Sequence, residues 1–476
     1  METLLCLIVF LPLAGSFLLP LIGRFSRLAR NFAAFALVAA SFILLIRILP
    51  AALSDSPPSF SMTLPLGLSF GFRGDGLAVF MGLISSFLGL IIIIYSFGYI
   101  ARDENANEYY MFVVMFIGAM MGIVLTTDLI FLYLFWEISA VCCWRLIGYF
   151  RELEFVRRAN KAFLITGGGA LVMLGGFLMI FNQYGTTDLL LLRGQSVPGA
   201  AVAMILFGIL SKSATLPLHS WIADAGVAPT PATALLHAAV LVKIGVYAYT
   251  RLFVVTFDLS AFWQTAVSVI AAVSAILTAG AAIAENDIKR IIAYSTVSQI
   301  GFILLGLSIG GEMALAGGLL YILMHAISKA GLFMCAGIVE HSCHTKDIRK
   351  LGGLAKTMPA TAVSFFLCAF SVMGIPPFGG FFSKYMVING TFAAGYPWFA
   401  AVFLLGAVMT VIYLLRAFVR VFLGDCRMEH APKEHGLTMI GSVVSLALLS
   451  IASGLLIYYP STLVSDIIAQ MEVVFK

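Results

Sequence analysis

The chain has 476 residues, 61% of them hydrophobic and 11% charged, with a mean hydropathy of +1.04 and a formal net charge of +5. A soluble surface needs more charge than that and a soluble core fewer apolar residues, so the composition describes an integral membrane protein. Seven cysteines are scattered with no CxxC, which points to neither an iron–sulfur motif nor a disulfide framework.

A membrane-crossing helix takes about 20 apolar residues. Runs of that kind fall near 4–22, 31–49, 76–100, 109–126, 128–150, 162–182, 198–216, 232–250, 261–284, 289–309, 313–339, 359–376, 397–415 and 437–458. The expected fold class is therefore all-α, with about fourteen transmembrane helices. The first run has no basic n-region and no small-residue cleavage site, so it reads as a retained helix rather than a signal peptide. Cys142 and Cys143 sit inside an apolar run and read as packing. "GGGALVMLGG" (167–176) has no preceding strand, so it reads as small-residue helix packing and not as a phosphate loop. "EHSCHT" (340–345) crowds too few ligands together to predict a metal site, and none is expected in the chain.

The basic residues test the count. With the N-terminus outside, odd-numbered connections face the cytoplasm and hold eighteen Lys and Arg, among them Arg102, Arg157, Lys289, Arg349 and Arg416; the opposite side holds five, Arg47, Arg73, Arg193, Arg251 and Lys476. That asymmetry follows the positive-inside rule and puts both termini outside. The net positive charge is then orientation in the bilayer, and no nucleic-acid partner is implied.

Some ionisable residues remain within the spans: Arg145, Lys212, Lys243, Lys329, Lys384, His237, His325 and the acid Glu137 in "LFWEISA". Such groups cost roughly 2.5–3.5 kcal/mol each at a helix centre and usually mark ion pathways. A Lys–Glu pair that opens and closes can take and release a proton, and histidine titrates near neutral pH. His325 and Lys329 are i, i+4 and share a helix face. His237 and Lys243 are i, i+6, which needs a distorted helix or a broad wet interior. Arg145, near the cytoplasmic end of its span, reads as a snorkelling side chain. Pro217 breaks the seventh span and "GIPPFGG" (374–380) the twelfth. Breaks in corresponding halves of a transporter point to an ion site and an inverted repeat, here spans four to eight and nine to thirteen. Lys212 precedes its break and Lys384 follows its own. "AYSTVSQIG" (293–301) puts Ser295, Thr296, Ser298 and Gln299 on one helix, either as a water file or as packing.

These stretches have a family likeness. "LSKSATLPLHSWIADAGVAPTPATALLHAAVLVKIGVYAYTRL" (210–252) resembles the signature of the antiporter-like subunits of respiratory complex I. The same family includes the large subunits of Mrp-type sodium/proton antiporters and membrane subunits of membrane-bound hydrogenases and formate hydrogenlyases. "DIKRIIAYSTVSQIGF", "MHAISKAGLF", "DIRKLGGL", "GIPPFGGFFSK" and "FWEISAV" continue the likeness from about 70 to 425. It implies fourteen helices with two inverted five-helix repeats, both termini outside, and residence in a prokaryotic plasma membrane. The implied organisation is an N-terminal three-helix segment (1–105), a first repeat (106–255), a second, inverted repeat (256–425) and a C-terminal helix and tail (426–476).

Carried over by position, the resemblance implies that Glu137 is the acid of the fifth span and Lys212 its partner at the break. His237 and Lys243 would be relays in the eighth span, His325 and Lys329 in the eleventh, and Lys384 the exit lysine. The sequence departs from the pattern at Ala223, where proline is usual, and at Arg145, where an apolar residue is usual and where the charge would perturb Glu137. The expectation is that no long lateral helix follows the fourteenth span. The leading expectation is a proton-translocating subunit of a redox-driven complex, NADH dehydrogenase-like or hydrogenase-like. The chain would carry no cofactor, and partner subunits would hold FMN, iron–sulfur clusters or nickel–iron. The alternative is a subunit of an Mrp-type sodium/proton antiporter. A quinone-binding subunit has no pocket signature in its favour, and a non-conducting scaffold has no use for the buried charges.

Overall fold

In hydrocarbon every backbone N–H and C=O must be paired inside its own segment, which makes the long apolar runs helical. The computed structural model describes residues 1–65, 69–101, 103–428 and 432–471; Arg102 and Lys476 of the charge count lie outside the described residues. The chain opens with α1 (Glu2–Ser16) and α2 (Leu19–Phe25), bent by 49° where one continuous run is expected. Then come α3 (Arg27–Ala52), an antiparallel hairpin of β1 (Ser59–Thr63) and β2 (Ser69–Arg73), α4 (Gly76–Tyr99), α5 (Ala106–Leu125), α6 (Leu129–Ile147) and α7 (Leu153–Tyr184). The seventh span is α8 (Gly199–Lys212), a break, and α9 (Ser220–Asp224). The eighth is α10 (Thr230–Ala234), a π turn over Leu235–Ala239, α11 (Leu241–Tyr249) and a second π segment over Thr250–Thr256. α12 (Ala261–Ala284), α13 (Ile288–Ser308) and α14 (Glu312–Cys343) follow. Then α15 (Pro359–Met373) breaks and continues as α16 (Gly379–Ala393), and α17 (Pro397–Phe422), α18 (Leu437–Leu455) and α19 (Tyr458–Met471) end the chain.

Among the described residues, eleven helices are long and apolar enough to cross a membrane, and α1 with α2 would make a twelfth. α8 and α15 are shorter apolar helices. A count of fourteen thus requires the bent pair and both broken helices to cross. The apolar windows of α13 and α14 are 94% buried and that of α3 only 28%, so α13 and α14 form the centre and α3 the rim. The hairpin and α19 have no counterpart in the sequence reading, because both are too short or too polar to register as apolar runs.

Two helix starts are built alike. Asp128 caps α6, accepting from the Ile130 and Phe131 N–H groups at 2.8 and 3.2 Å, and Asp287 caps α13 from Lys289 and Arg290 at the same two distances. Beside each cap lies a two-bond bridge. Leu129 N–H donates to the Thr187 carbonyl at 3.0 Å and Leu189 N–H to Thr127 at 2.8 Å. Ile288 N–H donates to Lys346 at 3.0 Å and Ile348 N–H to Asn286 at 2.9 Å. The Asp128–Asp188 and Asp287–Asp347 crossings are both antiparallel. Burial pushes the Asp128 and Asp287 carboxyls up from their ordinary range, whereas the Arg349 guanidinium holds half-buried Asp347 down at about 2.

Asp287→Ala is expected to destabilise the protein by about 1 kcal/mol, the usual worth of an N-cap, while Asp287→Asn keeps an acceptor and stays close to wild type. Thermal midpoints of the two purified variants check this.

Candidate functional site

The broken helices expose carbonyls that an intact helix would use. Residue 376 is proline, so the Val372 carbonyl loses the N–H that would reach it from four residues on. Lys384 takes it instead, its Nζ donating to Val372 O at 2.7 Å. The ammonium also lies 4.5 Å from the Phe302 ring centroid and 5.6 Å from that of Tyr321. Gly380 allows this return: a Cβ there would stand 1.9 Å from the Ser371 carbonyl oxygen, so only glycine lets α16 fold back onto the end of α15.

Lys212 is the last residue of α8. Its Nζ donates to the Trp136 carbonyl at 3.2 Å and sits 5.3 Å from the Trp136 ring centroid. Glu137 is the next residue along, half-buried, with Oε1 enclosed and without a partner among the described residues. Among the described residues Glu137 and Lys212 form no ion pair; they are neighbours held apart by the Trp136 peptide.

The i, i+6 spacing of His237 and Lys243 is resolved by the π turn, which ends at Val240 with φ −125° and ψ −69°. The widened turn swings Lys243 toward α14, where its Nζ meets His325 Nδ1 at 2.5 Å. Gly245 lets this segment close on the end of α8, since a Cβ would come within 2.7 Å of the Ser213 side chain. His237 packs its ring 4.5 Å from that of Phe333, and both its nitrogens lack partners among the described residues, as does His325 Nε2. Lys329 shares a helix face with His325 but has its own partners, Ser295 Oγ at 2.5 Å and the Ile292 carbonyl at 3.2 Å.

Lys212, His237, Lys243, His325 and Lys329 are wholly buried, and Lys384 is 3% exposed. An ammonium has three protons to place, and each here has one or two acceptors. Its hold on a proton therefore depends on a very few atoms, and a small movement of any of them changes that hold. Such a set can accept, keep and release protons. Among the described residues no group of three or more His, Cys, Asp or Glu side chains is placed to hold a metal.

Arg145 differs from its sequence reading. It does not snorkel alone; it pairs with Glu108, in the first turn of α5, which also takes Arg151 at 2.7 Å. The positive charge two turns from Glu137 is thereby neutralised locally. The residues of "AYSTVSQIG" divide. Ser295 and Gln299 join a polar cluster with Tyr413 of α17 and Tyr321 of α14, whereas the Thr296 hydroxyl turns back to its own helix at Ile292 O. Tyr321 was legible in principle, since Tyr321, His325 and Lys329 recur every four residues; Tyr413 has no local signal. Lys289, counted as a cytoplasmic loop charge, is instead buried at 3% side-chain exposure and bonded to Glu340 at 2.5 Å. Glu340 belongs to the "EHSCHT" stretch, so its carboxylate serves an ion pair.

The NADH:quinone oxidoreductase/Mrp antiporter transmembrane family matches residues 126–410, and the N-terminal region of complex I chain 5 matches residues 61–110. Na(+)/H(+) antiporter subunit A1 of Staphylococcus aureus is 31% identical over 98% of this chain. The chain spans 62% of the length of that relative. The fold is similar to a chain of the Mrp complex from Dietzia sp., at TM-score 0.90, 24% identity and coverage of 99% and 98%. It is equally similar to a chain of the membrane-bound sulfane sulfur reductase, an archaeal respiratory membrane complex, at TM-score 0.90, 23% identity and coverage of 98% and 97%.

Glu108→Gln should leave Arg145 and Arg151 without their shared carboxylate and lower stability by on the order of 1 kcal/mol, with Arg145→Leu added to it restoring part of the loss. A double-mutant cycle on thermal midpoints reads this out.

Proposed function

The chain belongs to the NADH:quinone oxidoreductase/Mrp antiporter transmembrane family, and on that footing we propose that it is a proton-translocating subunit of a multisubunit membrane complex. The observation that carries this reading is the row of buried lysines and histidines in which each lysine ammonium rests on one or two acceptors. Glu137 and Lys212 form the switch at one end. His237, Lys243, His325 and Lys329 relay charge through the centre, and Lys384 releases it outward. The two like-built junctions at Asp128 and Asp287 support inverted repeats over 106–255 and 256–425, with 1–105 and 426–476 flanking them. The basic-residue asymmetry supports both termini on the outer side of a prokaryotic plasma membrane.

Two driving forces suit such a subunit. In a redox-driven complex, partners carrying FMN, iron–sulfur clusters or nickel–iron would push the Glu137–Lys212 switch; the motif resemblance is its support. In an Mrp-type antiporter a sodium gradient would do so. The 31% identity to a Na(+)/H(+) antiporter subunit over nearly the whole chain favours this second reading. The two separate on purification of the tagged chain with its partners. Flavin, cluster or nickel absorbance and metal content support the redox drive; their absence together with sodium-dependent proton flux in vesicles supports the antiporter.

Within the assembled complex, Lys212→Ala and Lys384→Ala are each expected to cut driven proton movement by about tenfold or more, on the scale of removing a proton-transfer group. Glu137→Gln should act nearly as strongly, and Glu137→Asp should keep part of the activity. Dye-monitored proton uptake in proteoliposomes measures all four, with subunit composition checked on the same samples.

A further inference from the structure

Tyr321 stands between two of the buried charged groups. It lies one turn before His325 on α14, and the two rings meet edge to face at 6.1 Å. Lys384 Nζ lies 5.6 Å from the same ring centroid. Its hydroxyl points to neither. It donates to Gln299 Oε1 at 2.6 Å. Gln299 is held in turn, its Nε2 3.2 Å from Thr410 Oγ1 and 3.3 Å from Tyr413 Oη. Tyr413 Oη is 2.6 Å from Ser295 Oγ, which accepts from Lys329 at 2.5 Å. All these side chains are wholly buried except Lys384, which is 3% exposed.

Proton transfer needs a hydrogen-bonded contact of about 2.6–3.2 Å, or one bridging water. His325 spends Nδ1 on Lys243, and its Nε2 has no partner among the described residues. Among the described residues Lys384 has only the Val372 carbonyl as a hydrogen-bond partner, an acceptor that neither gives nor passes on a proton. The Tyr321 ring neighbours both, 6.1 Å from the His325 ring and 5.6 Å from Lys384 Nζ, and a ring face offers no lone pair to pass a proton. The one group on it able to bridge, the hydroxyl, is turned away and tied down.

We propose that Tyr321 is a gate between the Lys243–His325 pair and Lys384, latched shut by its hydrogen bond to Gln299. This rests on the translocation reading above. When the latch opens, the hydroxyl enters the gap, accepts the proton from His325 Nε2 and gives its own to the neutral Lys384 amine. Tyr321 ends as it began, His325 has lost one proton and Lys384 has gained one. The chain of contacts from Gln299 through Tyr413 and Ser295 ties the latch to Lys329, so a change in the charge of Lys329 alters the bonds that keep it closed.

The test uses the assembled complex in proteoliposomes, with passive proton leak measured under an imposed pH gradient and driven uptake measured beside it. Tyr321→Phe removes the hydroxyl, and Gln299→Met removes its acceptor from the other helix. Each should lower driven uptake several-fold, and Gln299→Met, which frees the hydroxyl, should raise passive leak several-fold. Adding Lys384→Ala to Gln299→Met should abolish that leak. Wild-type leak and uptake in both variants, with Lys384→Ala alone inactive, overturn the gate. So does a leak that survives Lys384→Ala. Normal uptake by Lys384→Ala alone would instead overturn the assignment of Lys384 on which the gate depends.

Discussion

A lysine ammonium inside a bilayer must find oxygen, and an unbroken helix has little to give. Desolvating such a charge costs several kcal/mol even after relaxation, and the loss is recovered only through well-placed acceptors. Here the acceptors are backbone carbonyls for Lys212 and Lys384, a carbonyl and a serine hydroxyl for Lys329, and the His325 ring for Lys243. A proline withholds an N–H, and the carbonyl it strands at Val372 receives Lys384. A π turn rotates Lys243 onto His325, and the end of α8 lets Lys212 reach Trp136 O. For Lys212, Lys243 and Lys384 the irregularity and the buried charge are thus one feature, whereas Lys329 in the unbroken α14 rests on Ser295 Oγ and the Ile292 carbonyl of the unbroken α13.

The ends of the helices follow the opposite rule. Asp75 takes Arg251 through two bonds of 2.7 Å while also capping α4 through Ala78 N–H. Glu340 takes Lys289 at 2.5 Å with Lys346 at 3.6 Å behind it. These pairs are complete, and they lie at helix ends. The central groups are incompletely satisfied. A frame pinned at its rims around an under-solvated interior is what a device needs if charges are to shift while helices stay in place.

Much of this was legible in the sequence. Apolar run length placed most helix ends to within a few residues, though α7 starts nine residues earlier and α17 ends seven later than its run, and Pro217, Pro376 and Pro377 marked both breaks. The list of buried ionisable residues missed Arg30, Asp128 and Lys289, all of which stand at helix starts that a sequence reading assigns to loops. What the sequence could not supply was pairing across helices. Nothing local to Arg145 names Glu108, 37 residues earlier. Nothing local to Lys243 names His325, 82 residues on. The i, i+6 spacing of His237 and Lys243 did predict a distorted helix, but the sequence does not say that the distortion turns Lys243 toward α14.

The central claim is that protons cross through the buried lysines, with the Lys243–His325 contact at the middle. The most direct measurement is driven proton uptake by the assembled complex carrying Lys243→Met, which keeps the length of the side chain and removes its charge. The account predicts a loss of about tenfold or more with the complex intact. Uptake at the wild-type rate would contradict it.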